Sequence, residues 1–123
     1  MSQAKAQWIK ANLKKGEVYA GLLLGKNGEP DQHIILLPGD TKGNFNVAQD
    51  WAKNIGGELP ARREQSLLFA NCPEEFQKTW YWSGESYSAD PAYAWFQHFD
   101  YGYQDDGRKL HECRARAVRR LIL

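Results

Sequence analysis

The chain has 123 residues, of which 42% are hydrophobic and 25% charged, and its formal net charge is +1 at pH 7. This composition argues against disorder, and the near-zero charge argues against nucleic acid as a partner. The length suits one domain that buries its own core without a metal or a disulfide.

The first forty residues predict a helix and then a hairpin. Residues 4–13 place apolar side chains among Lys and Gln, which is typical of a weakly amphipathic helix, and Gly16 ends it. Glu17 to Leu24 and His33 to Leu37 are predicted as strands. Asn27-Gly28 joins them in a turn, since Asn and Gly tolerate positive φ.

Two further helices are predicted in the middle of the chain. Asn46 is a suitable N-cap with Gln49 three residues later, and the apolar positions from Val47 to Ile55 then share one face. Gly56-Gly57 ends this helix. The second helix begins within Leu59-Pro60-Ala61-Arg62-Arg63-Glu64 and runs to Asn71.

The last third predicts short strands separated by long loops. The strands are Thr79 to Ser83, Tyr93 to Phe99 and Arg114 to Leu121, and the irregular loops are Gly84 to Pro91 and Tyr101 to Lys109. This order of elements predicts an α+β fold, with two helices packed on a small twisted antiparallel sheet and with long irregular loops.

Aromatic residues are concentrated in the same third. Eleven of the sixteen lie between Phe76 and Tyr103, and there is no Lys or Arg from Trp80 to Gly107. Rigid rings interleaved with short polar groups are typical of a recognition surface, because they offer a large contact area at a low entropy cost.

Four short motifs occur in order along the chain: Glu58-Leu59-Pro60-Ala61-Arg62-Arg63-Glu64, Tyr81-Trp82-Ser83, Ala94-Trp95-Phe96 and Arg114-Ala115-Arg116-Ala117-Val118-Arg119. They resemble the Lcl C-terminal domain family, which is common in bacterial surface proteins and prophages. One departure is Ala61, where the family usually has Thr or Ser. The missing cap would cost about 1 kcal/mol, but Glu64 keeps the other half of the capping box.

The resemblance covers roughly residues 17–121 and implies a C-type-lectin-like fold. We therefore divide the chain into an N-terminal helical arm, residues 1–15, and a C-type-lectin-like domain, residues 16–123. The resemblance also implies a non-enzymatic binding module of phage or prophage type. Such a module would recognise a surface glycan or another host-surface molecule.

The aromatic tract supplies the candidate ligand-binding residues. Sugars present C–H faces that stack on rings, and their hydroxyls pair with Asp, Gln and His, whereas a protein partner would use the same rings as buried anchors. The candidates are Trp82, Tyr87, Tyr93, Trp95, His98, Tyr101, Tyr103, Asp105 and Asp106. The alternative is an intracellular protein-interaction or phage assembly factor, with a homo-oligomer formed through the helix around Trp8 and Ile9.

No cofactor is predicted. Asp100, Asp105 and Asp106 carry hard oxygen ligands, but their spacing is not that of a calcium loop, so calcium is only an alternative. Glu29-Pro30-Asp31 is similar to a sugar-binding motif of animal C-type lectins, yet it lies in the early hairpin rather than in a long loop.

Zinc and catalysis are not predicted either. His98, His111, Cys72 and Cys113 include no C-x-x-C pair, so zinc is not expected. Nor does a second cysteine lie near Cys113, as in the reactive pair of the formylglycine-generating enzymes, which share the C-type-lectin-like scaffold.

The first residues, Met1 to Lys5, lead into no apolar signal-peptide core, and no segment is long enough to span a bilayer. We therefore expect cytoplasmic synthesis, reduced cysteines and no membrane insertion. A virion-associated protein released by lysis fits these expectations.

Overall fold

The computed structural model describes residues 2–123 and places them in an α+β domain. The helices are α1 Gln3–Asn12, α2 Phe45–Asn54 and α3 Arg62–Asn71, with a 3₁₀ turn at Pro73–Glu75. The strands are β1 Val18–Leu23, β2 Gln32–Leu36, β3 Thr41–Gly43, β4 Trp80–Ser86, β5 Tyr93–His98, β6 Gln104–Arg108, β7 Cys113–Ala115 and β8 Val118–Ile122. Within residues 2–123, no helix is long and apolar enough to cross a membrane.

The strands form two sheets. The first is antiparallel, with β2 between β1 and β8. The second has five strands in the order β3-β7-β4-β5-β6, and its pairs are antiparallel except for β7 with β4. Residues 113–122 pass directly from the five-stranded sheet into the three-stranded sheet, so this segment joins the two.

The predicted α+β class is confirmed, but the two central helices cover opposite faces of a mixed sheet. Strand β4 explains this arrangement, since its side chains alternate between two buried environments. Trp82 packs with Phe45 of α2, and Tyr81 packs in a second cluster that includes Leu68 of α3. Both faces of the sheet are therefore core.

The start of α2 differs from the prediction. Asn44, not Asn46, is the N-cap, and its side-chain oxygen accepts the N–H of Val47 at 2.9 Å. The helix begins two residues earlier than expected because Phe45 must enter the core, where it is 2% exposed. The start of α3 agrees with the prediction, since Glu64 Oε1 accepts the N–H of the N-cap residue Ala61 at 2.7 Å.

The two predicted loops were partly wrong. Strand β4 continues to Ser86, and β6 occupies Gln104–Arg108 inside the stretch expected to be irregular. Strand β6 pairs along its length with β5 at the sheet edge, from Tyr93 opposite Arg108 to Gln97 opposite Gln104. An edge strand needs no apolar alternation, because only part of it is buried.

The strand predicted over Arg114 to Leu121 is divided into β7 and β8. Arg116 lies at the break and is 8% exposed, and its guanidinium donates to the carbonyls of Glu75 at 2.6 Å and Leu37 at 2.7 Å. The small residues beside it behave as expected, since Ala115 and Ala117 are fully buried.

The helix of the predicted arm, α1, packs on the outer side of the three-stranded sheet. The ring of Trp8 lies 4.2 Å from that of His33 and 5.0 Å from that of Tyr19. Arg119 of β8 donates to the carbonyl of Asn12 at 2.8 Å. The helix is thus held by the two aromatic contacts of Trp8 and by one hydrogen bond from a charged group.

Candidate functional site

Strands β4 and β5 and the turn after β5 carry a row of rings on one face of the five-stranded sheet, which we call the aromatic shelf: Trp80, Phe96, His98, Tyr101 and Tyr103. Trp80 stacks on Phe96 at 4.1 Å between centroids and meets Tyr103 edge to face at 5.2 Å. His98 lies parallel to Tyr103 at 6.0 Å and stacks on Tyr101 at 5.0 Å. The row ends in solvent, where Tyr101 is 75% exposed and Tyr103 51% exposed.

Strand register and one tight turn put these rings together. Trp80 lies directly opposite His98, so their side chains share a face. The chain then turns back through Gly102, whose φ is +87° and whose N–H donates to the His98 carbonyl at 2.8 Å. That turn returns Tyr103 to His98, whose N–H donates to the Tyr103 carbonyl.

The imidazole of His98 has a defined orientation. Its Nδ1 accepts the backbone N–H groups of Asp100 at 3.2 Å and Tyr101 at 3.4 Å. An Nδ1 that accepts places the proton of the neutral ring on Nε2. Asp105 lies opposite Phe96 on the same face. The shelf therefore offers flat rings together with a ring N–H donor and a carboxylate acceptor.

A polar cleft of about 330 Å³ continues from the shelf at Trp80. It is lined by Lys42, Gln77, Thr79, Trp80, Glu112, Cys113 and Arg114. Arg114 is paired with Asp40, with Nε to Oδ1 at 2.9 Å. The shelf and the cleft share the Trp80 ring, so one elongated ligand could contact both.

The other face of the same strands carries a second aromatic group. The guanidinium of Arg62 lies 3.5 Å above the ring of Trp95, and Tyr87 meets Trp95 edge to face at 5.3 Å. Arg108 lies 5.6 Å from the ring of Tyr93. On this face the rings are partly covered by cationic side chains, unlike those of the shelf.

The structure divides the predicted site residues between these two faces. His98, Tyr101, Tyr103 and Asp105 lie on the shelf face, and Tyr87, Tyr93, Trp95 and Asp106 lie on the other. A single continuous surface made of all these side chains does not exist, because alternate residues of a strand point to opposite sides.

Trp82 is a correction, since its side chain is fully buried and cannot contact a ligand. Its Nε1 donates to the carbonyl of Gly43 at 3.1 Å, and its ring packs edge to face on Phe45 at 5.5 Å. Trp82 instead connects the shelf to the core by stacking on Phe96 at 5.5 Å.

Four residues at these surfaces were absent from the predicted set: Arg62, Trp80, Phe96 and Gln104. Trp80 and Phe96 could have been found by aligning β4 with β5, because Trp80 and Trp82 share a face with Phe96 and His98. No local pattern marks Arg62 or Gln104, since they meet only in the folded chain.

Metal ligands are not gathered in this region. Asp105 and Asp106 point to opposite sides of β6, and Asp31 Oδ1 caps a turn by accepting the N–H of Gly25 at 2.8 Å. Among residues 2–123, no three His, Cys, Asp or Glu side chains are grouped so as to hold a metal ion.

The two cysteines are free and belong to different core clusters. Burial raises the pKa of Cys72 to about 11, with a further contribution from Glu74 and Glu75, and burial likewise raises the pKa of Cys113 to about 11. At neutral pH both are thiols rather than nucleophilic thiolates.

A wider cleft of about 420 Å³ lies away from both aromatic faces, beside the end of α2. It contains no aromatic ring, and its Arg119 is already bound by Glu17 at 2.7 Å. We place the candidate site at the shelf, because the shelf combines exposed rings with a fixed donor and an acceptor.

No family model matches the chain, and no curated protein matches its sequence significantly.

Proposed function

We propose that this protein is a non-enzymatic binding module that recognises a surface glycan, or another host-surface ligand, through the aromatic shelf. The observation that carries the proposal is the exposed end of the shelf. Tyr101 and Tyr103 lie 6.5 Å apart with 23° between their planes and both stack on the ring of His98, and Asp105 lies opposite Phe96 on the same face.

The chemistry of this surface suits sugars. The two tyrosine rings present faces for the C–H side of a pyranose, and the His98 donor and the Asp105 carboxylate on the same face would pair with its hydroxyls. The rings are held by stacking on His98 and by the Trp80 contact, so little side-chain entropy is lost on binding.

We further propose that the domain has a C-type-lectin-like fold of the Lcl C-terminal type. The pairing of β2 with β8 supports it, because an early hairpin then closes on a late strand around two central helices. The four sequence motifs give the same assignment. The phage or prophage origin, and a virion-associated location, rest on that resemblance alone.

A non-enzymatic role agrees with the state of the nucleophiles. Both thiols are buried with raised pKa values, and each lies in a separate core cluster. We propose no cofactor, and the proposal requires neither nucleic acid nor insertion into a membrane.

A protein partner is the second candidate. One end of the three-stranded sheet exposes apolar side chains, with Leu24 at 63% and Ile122 at 68%. These, rather than Trp8, would form the contact of a homo-oligomer, because Trp8 is already packed on His33.

The first test is a binding screen against polysaccharides, including lipopolysaccharide and sulfated glycans, with and without calcium. Tyr101→Ala/Tyr103→Ala should abolish binding while the melting temperature is retained. Leu110→Ala is the matched control, because this side chain is 81% exposed and is not part of the shelf.

Loss of binding in the double variant alone would establish the shelf as the site. If the wild type binds no glycan, the second candidate, a protein partner, is favoured. Pull-downs from infected or induced cells would then identify that partner.

A further inference from the structure

Arg62 is an ordered arginine that has no carboxylate partner. Its guanidinium stacks on Trp95 at 3.5 Å, and its Nε donates to Gln104 Oε1 at 2.9 Å. Within residues 2–123, no Asp or Glu lies within ion-pair distance of this guanidinium. Its terminal NH₂ groups therefore remain available as a planar fork of donors.

Four other arginines of the domain bind carboxylates. The pairs are Arg114 with Asp40, Arg116 with Glu75, Arg119 with Glu17, and Arg120 with Glu58 and Glu64. Arg63, next to Arg62, donates to the carbonyl of Leu24. Arg62 is held instead by an aromatic ring and an amide.

A relay of amides fixes its position. Gln104 Nε2 donates to the carbonyl of Arg62 at 2.8 Å and to Gln97 Oε1 at 2.9 Å. Because a carbonyl only accepts and Arg62 Nε only donates, the Gln104 amide has a single consistent orientation. Gln97 is 1% exposed, so the relay is anchored in the interior of the domain.

The fork lies at a shallow cleft of about 310 Å³, which we call the Arg62 cleft. Its walls are Arg62, Arg63, Ser66, Glu85 and Gln104. Glu85 is the acidic wall, and its Oε2 is engaged by the N–H of Arg62 at 2.7 Å. Glu64 Oε1 accepts the N–H of Ala61, so the N–H groups of both Ala61 and Arg62 at the start of α3 are bound to carboxylates.

We propose that the Arg62 cleft binds the carboxylate of an acidic sugar unit, such as a uronic acid, through a two-point contact with the Arg62 fork. This inference rests on the proposed function, since it assigns a charged unit to the glycan. Tyr103 and Gln104 are consecutive residues of the region where β6 begins, with side chains on opposite faces. A glycan that crosses this edge strand would meet both the shelf and the cleft.

The test is titration of D-glucuronate into the full chain, followed by NMR of the Trp95 indole N–H and the Arg62 Nε–H. Saturable shifts are expected with a dissociation constant on the order of 1 mM, and D-glucose should produce none. Arg62→Gln should weaken binding at least ~10-fold, and so should Arg62→Lys, because lysine keeps the charge but has no planar fork.

Two variants separate the cleft from general charge effects. Arg108→Gln removes the same charge from the same face outside the cleft and should leave binding within about twofold. Glu85→Gln keeps an acceptor for the Arg62 N–H but removes the competing carboxylate, and it should tighten binding about threefold.

Equal shifts with D-glucose, or unchanged binding in Arg62→Gln, would overturn the inference. So would tighter binding of an acidic peptide than of glucuronate, which would assign the cleft to a protein ligand. Glucuronate binding retained in Tyr101→Ala/Tyr103→Ala supports the cleft even if polysaccharide binding by the shelf fails. Polysaccharide binding that depends on Tyr101 and Tyr103, together with no glucuronate binding by the wild type, would leave the shelf as the site and remove the acidic unit.

Discussion

Glu64 in the first turn of α3 and Arg120 in β8 form a two-point ion pair, with Nε to Oε2 at 2.6 Å and a terminal nitrogen to Oε1 at 2.8 Å. Glu64 is 2% exposed and also accepts the N–H of Ala61. This pair therefore joins the helix that carries Arg62 to the three-stranded sheet, and it fixes one wall of the cleft relative to the rest of the domain.

Removing the buried member of this pair should be costly. Glu64→Ala leaves the Arg120 guanidinium without its buried partner and should lower the free energy of unfolding by about 3–5 kcal/mol. Glu58 is the other carboxylate bound to Arg120, and its side chain is 67% exposed. Glu58→Ala should therefore lower the free energy of unfolding by less than about 1 kcal/mol. Urea unfolding measures both values, and equal losses would contradict the structural assignment.

The Glu17–Arg119 pair should make stability depend on pH in the acid range. The hydrogen bond from Arg119 lowers the pKa of Glu17 from its ordinary value of 4.5. A lowered folded pKa gives stability that is present above the unfolded pKa and is lost as pH falls through the folded pKa. The stability difference between wild type and Glu17→Gln should therefore be large near neutral pH and shrink below 4.5.

Urea unfolding of both proteins across this pH range checks the difference. Arg119→Gln removes the same interaction from its other side and should lose the same pH-dependent increment. If the free energies of unfolding of the wild type and Glu17→Gln differ by a constant amount down to acid pH, the pair does not contribute to the pH dependence of stability.

A pair of glycines tests how the shelf turn is packed. Gly102 has φ +87°, and a Cβ placed there would lie 2.5 Å from the ring of Phe69, whereas Gly28 has φ +83° and open space around it. Gly102→Ala should cost roughly 2–5 kcal/mol through backbone strain and overpacking, and Gly28→Ala about 1–2 kcal/mol through strain alone. Similar unfolding midpoints for the two variants would show that Phe69 does not constrain the turn.

The aromatic contact of α1 tests whether residues 1–15 are a separate arm. Trp8→Ala should lower the free energy of unfolding by about 1–2 kcal/mol, because the ring loses its contacts with His33 and Tyr19. Gln7→Ala, on an exposed position of the same helix, is the control. Unchanged stability in Trp8→Ala would mean that the helix is an appendage without energetic coupling to the domain.

The sequence predicted correctly those elements that are determined by residues close together in the chain. The hairpin turn is an example, since Asn27 and Gly28 both have positive φ. Arg116 is the opposite case: in sequence it belongs to a charged run, but the carbonyl that it binds in Leu37 is 79 residues away. Because any residue can supply a backbone carbonyl, the sequence does not show that this arginine is buried or which residues it binds.

The candidate site shows the same limit. Composition located the aromatic tract, but the assignment of each ring to a face depends on where β6 begins. With β6 expected to be a loop, Asp105 and Asp106 could be grouped together, whereas strand pairing separates them. Burial of Trp82 likewise follows from Phe45, which lies across the core and far away in the chain.

The passage of residues 113–122 through both sheets has a consequence for synthesis on the ribosome. Strand β7 fills the place between β3 and β4, and β8 supplies one side of β2, so neither sheet is complete until this segment has emerged. Until then β2, with its fully buried Ile34 and Ile35, has an open edge that can pair with another nascent chain. Chaperone dependence of this domain should therefore be greatest before residues 113–122 have emerged from the ribosome, however stable the folded domain is.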